Sequence, residues 1–238
     1  MPKYKRILLK LSGEALAGES RFGIDRDAVS RIAGEIVEAS RTGVEFGVVV
    51  GGGNFFRGVQ ASTTGLQRVT VDRMGMLATV MNSLALHDFL AAQGAKSRVM
   101  SAVRMGSMVE GFSREVAVAS INAGEIVIFA AGTGNPYFST DTGASLRAAE
   151  IQADVLAKAT KVDGVYDKDP ARFSDASRYE KISYADVLSD GLGVMDATAV
   201  SLCRENRLPI LVFDLTRAGN LQRLANSESI GTLITEGE

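Results

Sequence analysis

Two glycine clusters each follow a short, strongly apolar run. Val48-Val49-Val50 leads into Gly51-Gly52-Gly53-Asn54, and Ile126-Val127-Ile128-Phe129 leads through Ala130 and Ala131 into Gly132-Thr133-Gly134-Asn135. Runs of this kind read as strands buried on both faces, which belong in a parallel sheet covered by helices. Glycine after such a strand lets the main chain approach a ligand with no Cβ in the way, and a helix beginning just beyond points its free N–H groups at an anion. Two such turns imply two phosphorylated ligands, a donor and an acceptor. The plain alternative is a pair of tight strand-to-helix turns.

Neither turn fits a familiar nucleotide fingerprint. Counting from the first glycine, the sixth position is Phe56 in one turn and Tyr137 in the other, so no GxGxxG is present; no Gly-Lys dipeptide occurs anywhere, which removes a Walker-type loop. ATP, if bound, is held by another route.

Strand-like and helix-like periods alternate along the chain. Strands are expected at 5–11, 44–50, 97–102, 125–131, 154–159, 209–213 and 232–234, and helices at 25–39, 71–92, 112–121, 142–153, 197–205 and 220–225. Gly43 stops the first helix, Thr142 is the expected cap of the fourth, and the polar stretch 161–181 reads as surface loop. Met74, Leu77, Met81, Leu84 and Leu86 make the long helix so apolar that its methionines are expected in the core, with a subunit contact as the alternative. The fold class is α/β, with a mainly parallel sheet covered on both faces and the site beyond the carboxyl ends of its strands. No repeat or linker divides residues 1–238, so one domain with two lobes is expected.

A formal charge of -2 gives no global basic field for nucleic acid or an anionic membrane. Cys203 is the only cysteine and His87 the only histidine, which leaves no zinc-ligand spacing and fits a reducing cytosol; the apolar start is too short for a membrane span. A cytoplasmic protein is expected, with His87 and Cys203 structural.

Lys10 stands between Leu9 and Leu11, directly before Ser12-Gly13. Its ammonium either snorkels to water or bridges donor and acceptor phosphates, where charge must be neutralised during transfer. Arg57 is placed to fold over a phosphate at the first turn. Asp72 is either a first-turn acid or a ribose acceptor. Asp141 and Asp196 each precede or open a helix and are caps, or else orient Lys10 and hold a magnesium-bound water.

Together, Lys10-Leu11-Ser12-Gly13, Gly51-Gly52-Gly53-Asn54 with Arg57, Asp72-Arg73-Met74-Gly75-Met76, Gly132-Thr133-Gly134-Asn135-Pro136 through Thr140-Asp141, and Lys158-Ala159-Thr160-Lys161-Val162-Asp163-Gly164-Val165-Tyr166 with Asp169-Pro170 resemble the bacterial uridylate kinases of the amino-acid kinase superfamily. The resemblance covers essentially the whole chain. It implies a three-layer sandwich and transfer from ATP to UMP with magnesium, giving ADP and UDP in pyrimidine nucleotide biosynthesis. It implies ATP contacts at Lys10, Leu11, Ser12, Gly13, Gly53, Arg57, Thr160, Tyr166 and Asp169, in a C-terminal lobe. UMP contacts are implied at Gly52, Asp72, Thr133, Gly134, Asn135, Pro136, Tyr137, Phe138, Ser139 and Thr140, in an N-terminal lobe. Lys10 would bridge the transferring group, with Asp141 and Asp196 organising lysine and metal, the metal held through phosphates and water. Gly18, Glu19, Ser20, Arg21, Phe22 and Gly23 are similar to a segment linked to GTP activation, and the resemblance further implies UTP inhibition and a homohexamer. Two other functions share these features: a nucleotide-binding protein without turnover, and a kinase that phosphorylates an acid.

Overall fold

A computed structural model describes residues 4–20, 22–56 and 65–237. The strands are β1 (Arg6–Leu11), β2 (Glu45–Val50), β3 (Ser97–Ser101), β4 (Glu110–Gly111), β5 (Ile126–Ala130), β6 (Val155–Thr160), β7 (Lys181–Ser183), β8 (Ile210–Asp214) and β9 (Thr232–Thr235). The helices are α1 (Arg26–Ser40), α2 (Arg68–Ala92), α3 (Arg114–Asn122), α4 (Thr140–Glu150), α5 (Tyr184–Ser189), α6 (Ala197–Glu205) and α7 (Asn220–Ala225). The strands form one sheet in the order β4-β3-β5-β2-β1-β6-β8-β9-β7, in which only β8 and β9 pair antiparallel. β1 is flanked by β2 on one side and β6 on the other, so its carboxyl end is where the chain's path across the sheet changes direction. That is the place where open α/β sheets bind ligands.

The period-two alternation of the central strands divides the core into two layers. Ile7, Leu9 and Leu11 of β1, with Val155, Ala157 and Ala159 of β6, face a cluster that includes Ile32 and Ile36 of α1 and Leu221 and Leu224 of α7. Leu8 and Leu156 face the opposite cluster, with Ala144 and Ala148 of α4 and Val200 of α6. Each fully buried Leu or Ile contributes about 1.5–3 kcal/mol. The leucines of β1 therefore supply the stability that lets this strand carry a lysine near its end.

Helix ends follow local chemistry. Asp25 caps α1 by accepting from the N–H of Ala28 (2.8 Å), and α1 stops three residues before Gly43, whose φ of 89° suits only a residue without a Cβ. The cap of α4 is Ser139, whose Oγ accepts from the N–H of Thr142, so the expected cap role of Thr142 is corrected: its hydroxyl instead donates to Asp196 (3.0 Å). The polar stretch after β6 is mostly exposed but is pinned by a bridge between Tyr166 and Arg178, and it runs into β7 and α5, elements too short to show a period in the sequence. On α2 only Leu86 of the five expected apolar residues is buried. Met74, Leu77, Met81 and Leu84 are exposed, so the core expectation for Met74 and Met81 is also corrected.

Candidate active site

Parallel register sets the central feature. Lys10 pairs with Lys158 across β1 and β6, and both side chains leave the sheet on the face of Leu8 and Leu156, towards α4. Paired residues in neighbouring strands lie about 5 Å apart, so two ammoniums meet at one point and need a shared anion. Asp141, in the first turn of α4, supplies it: Lys10 Nζ lies 2.7 Å from Oδ1 and Lys158 Nζ 2.8 Å from Oδ2. The three side chains are only 11–14% exposed. Lys158 also donates to the carbonyl of Val194.

The cluster has two positive charges and one negative, and the surplus is one positive charge in a desolvated place. Burial alone would raise the Asp141 carboxyl, but the ammoniums of Lys10 and Lys158 outweigh it and hold Asp141 below the usual carboxylate range. Burial depresses the Lys158 ammonium; Asp141 opposes that and Lys10 adds to it. Residue-by-residue inspection of the sequence missed Lys158 as a site residue. The signal available was a second lysine inside an apolar strand, in the same position relative to the strand end as Lys10.

Asp196 lies near this trio, where its charge favours the Lys158 ammonium. Its carboxylate caps α6 by accepting from the N–H of Ala199 (3.0 Å), and it also accepts from the hydroxyls of Ser139 and Thr142, tying the first turns of α4 and α6 together. Of the readings made from sequence, the cap is the one observed.

Two clefts flank the cluster. One, of about 310 Å³, is lined by Gly52, Gly53, Asp72, Thr133, Asn135, Phe138, Ser139 and Thr140, with Arg68 and Thr79. The other, of about 500 Å³, is lined by Lys158, Thr160, Tyr166 and Asp169, with Gly191–Val194 as its far wall. A third space beside β1 holds Lys10, Ser12, Gly18 and Glu19, again with Lys158 and Thr160. The Tyr166 hydroxyl donates to Asp163 (2.6 Å), and this bond, with the Asp163 charge, raises its ionisation above the phenol range.

Leu11, Gly134, Pro136 and Tyr137 line neither of the two main clefts. Leu11 is fully buried in the core, and only its carbonyl reaches the first turn, where it accepts from the N–H of Gly51 (2.9 Å). Gly134 and Pro136 line a separate apolar space on the other side of the loop, with Arg73 and Leu77. Tyr137 is 67% exposed, with its backbone N–H donating to Asp72 (2.7 Å) and the Arg68 guanidinium over its ring. Arg57 and Arg21 lie outside the described residues. His87 bonds Ser97 (2.7 Å), and Cys203 is buried against Ser145.

The two glycine turns use glycine for different reasons. In the first, a Cβ on Gly52 would stand 2.7 Å from the carbonyl oxygen of Gly75, and one on Gly13 would stand 2.5 Å from that of Gly51; neither glycine has positive φ, so the need is space. In the second, Gly132 and Gly134 have φ of 57° and 78°, so the need is backbone conformation. Neither helix begins at once after its glycines: α2 starts at Arg68 and α4 at Thr140.

A family model described as the amino acid kinase family matches residues 5–214. The uridylate kinase of Chromohalobacter salexigens is 54% identical over 235 residues, 99% of this chain and 93% of that protein. The uridylate kinase of Dichelobacter nodosus is 51% identical over 98% of this chain and 97% of its own length. The crystal structure of UMP kinase from Bacillus anthracis superposes with a TM-score of 0.96 at 38% identity, covering 100% of this chain and 98% of that one. UMP kinase from Ureaplasma parvum gives a TM-score of 0.92 at 35% identity, covering 98% and 100% of the two chains. These matches span nearly the whole chain, and the chain belongs to the amino acid kinase family, in its uridylate kinase group.

Proposed function

We propose that the protein transfers the terminal phosphoryl group of ATP directly to UMP, releasing ADP and UDP, as a cytoplasmic step of pyrimidine nucleotide synthesis. The observation that carries this is the buried Lys10–Asp141–Lys158 cluster with its surplus positive charge. Phosphoryl transfer needs positioning and charge neutralisation more than a strong base. Lys158 lines the cleft around Tyr166, and Thr140, next to Asp141, lines the cleft around Asp72. ATP is assigned to the first and UMP to the second, which makes the C-terminal lobe the donor half and the N-terminal lobe the acceptor half. Lys10 and Lys158 neutralise the phosphoryl oxygens in flight while Asp141 fixes both ammoniums; Asp72 accepts from the acceptor's ribose, and the Tyr166 ring offers a face to adenine.

Among the described residues no three His, Cys, Asp or Glu side chains converge. A magnesium ion would be carried by phosphate oxygens and water, with Asp196 as a nearby carboxylate whose charge also acts on Lys158. Such an ion supplies charge neutralisation across the phosphates. Activation by GTP and inhibition by UTP belong to the same proposal, with 18–23 as the candidate responsive segment, of which Gly18 and Glu19 line the space that holds Lys10. So does a homohexamer, for which the exposed Met74, Leu77, Met81 and Leu84 offer an apolar stripe. No helix among the described residues is long and apolar enough to cross a membrane.

The test is ADP release with Mg-ATP and a panel of UMP, CMP, dTMP, N-acetylglutamate, aspartate and glutamate, repeated with GTP and with UTP. Turnover with UMP alone is expected. Turnover of an acid would overturn the acceptor assignment, and UMP binding without turnover would put a binding protein in its place.

A further inference from the structure

Beneath the first glycine turn lies a buried side-chain pair that takes no part in the mechanism above. Asn54 is 1% exposed and Asn82, on α2, is fully buried. Asn82 Nδ2 donates to the carbonyl of Gly51 (2.7 Å) and to Asn54 Oδ1 (2.7 Å). Asn54 Nδ2 donates to Asn82 Oδ1 (2.9 Å) and to the carbonyl of Gly23 (2.7 Å), and the N–H of Gly23 returns to the Asn54 carbonyl (3.0 Å). Every amide donor of the pair is used and both side-chain oxygens accept. A buried polar network is costly unless fully satisfied, and when satisfied it holds one arrangement.

Hydrogen bonds fix three chain segments to each other at this point, the first glycine turn, α2 and the stretch entering α1 at Gly23, and the turn after β1 packs against them. Gly13 packs so closely that a Cβ there would stand 2.6 Å from Asn54 Oδ1 and 2.8 Å from the Gly53 nitrogen. Among the described residues the N–H groups of Gly52 and Gly53 donate to no protein acceptor, and both residues line the acceptor cleft. Holding the Gly51 carbonyl from below therefore fixes the direction in which the next two N–H groups point.

We propose that Asn54 and Asn82 are positioning residues for phosphoryl transfer: their amide pair locks the Gly51–Gly53 turn against the Ser12–Gly13 turn, and so sets the spacing of donor and acceptor phosphates rather than the affinity for either nucleotide. This rests on the donor and acceptor assignment proposed above. Because the reacting atoms must be held close to their productive geometry, a loosened turn costs rate before it costs binding.

The experiment is steady-state kinetics and nucleotide binding on the wild type, Asn82→Ala, Asn54→Ala and the double variant, at a temperature where circular dichroism shows each fully folded. Each single variant should lose at least about tenfold in kcat with KM for ATP and for UMP within about threefold, and the double variant should be no slower than the slower single, because the pair acts as one unit. Near-normal kcat in the folded single variants, multiplicative losses in the double, or a tenfold rise in KM with kcat kept would each overturn the proposal. If the alanine variants do not fold, the near-isosteric Asn82→Asp replaces them. Its buried carboxyl takes up a proton readily and, once protonated, can again donate to the Gly51 carbonyl. Its turnover relative to wild type should rise as pH falls, and a flat ratio would sink the idea. Failure of the wild type to phosphorylate UMP would instead reject the underlying assignment.

Discussion

Replacing Lys158 by methionine removes one charge with little change of shape, and the structure gives the size of the effect. The trio carries two lysines and one aspartate, a net charge of +1; without Lys158 it falls to zero, while Asp141 keeps Lys10 at 2.7 Å. A unit charge on the order of 4 Å from a phosphoryl oxygen is worth about 4 kcal/mol at the effective dielectric of a protein site. Since about 1.4 kcal/mol is tenfold in rate, that is an upper bound near a thousandfold. Only part of the charge develops in the transition state, so kcat should fall by about a hundredfold or more, with KM for UMP nearly unchanged. Stability should move little: the variant loses the bond to the Val194 carbonyl but no longer buries a depressed ammonium. The assay is kcat and KM for both nucleotides alongside urea unfolding. A loss of kcat below tenfold in a folded variant, or an effect confined to ATP affinity, would refute the charge reasoning.

Other substitutions probe the same geometry. Lys10→Met should match Lys158→Met within about an order of magnitude in kcat, since both ammoniums share one carboxylate; a tenfold or greater disparity would show that the two do not act as equals. Asp141→Asn removes the group that opposes depression of Lys158, so Lys158 should lose its proton at lower pH and the alkaline limb of the kcat profile should move down. Asp141 is held below its usual range, so its contribution to stability is present at neutral pH and is lost as pH falls through the carboxylate range; urea midpoints of Asp141→Asn should lack that acid limb. Asp72→Ala should raise KM for UMP and spare that for ATP, because Asp72 lines one cleft and also holds the Tyr137 N–H; equal effects on both would contradict the assignment. Burial pushes the Cys203 thiol up to about 11, so a thiol reagent at neutral pH should leave the native protein unlabelled and react on unfolding, followed by mass spectrometry.

The elements that carry the fold were legible in the sequence because each has a strong local period or terminator. β2 and β5 are apolar runs that lead into glycine turns, α6 and α7 were placed at their observed bounds, and the order of strands and helices implied a parallel sheet. Short elements such as β7 and α5 were not legible: three or six residues hold no full period, and they form because neighbours pack on them. The α2 methionines misled for a related reason. An apolar residue implies burial only if another surface covers it, and the described residues leave that stripe exposed.

The site divides along the same line. Lys10, Asp72, Asp141 and the two glycine turns stood out because a lysine in an apolar strand and glycines after strands are locally improbable without a purpose. Lys158 and the Asn54–Asn82 pair did not stand out, since their meaning depends on partners 148 and 28 positions away. Sequence by itself determined the longer strands and helices, the glycine turns and the family, all of which follow from neighbours along the chain and from motifs in order. Only the tertiary structure decided that β6 pairs with β1 in the register that sets two ammoniums side by side, and that α4 brings one carboxylate between them. Register is settled by which apolar faces pack together across the sheet, and that is a property of the whole core, which no single segment contains.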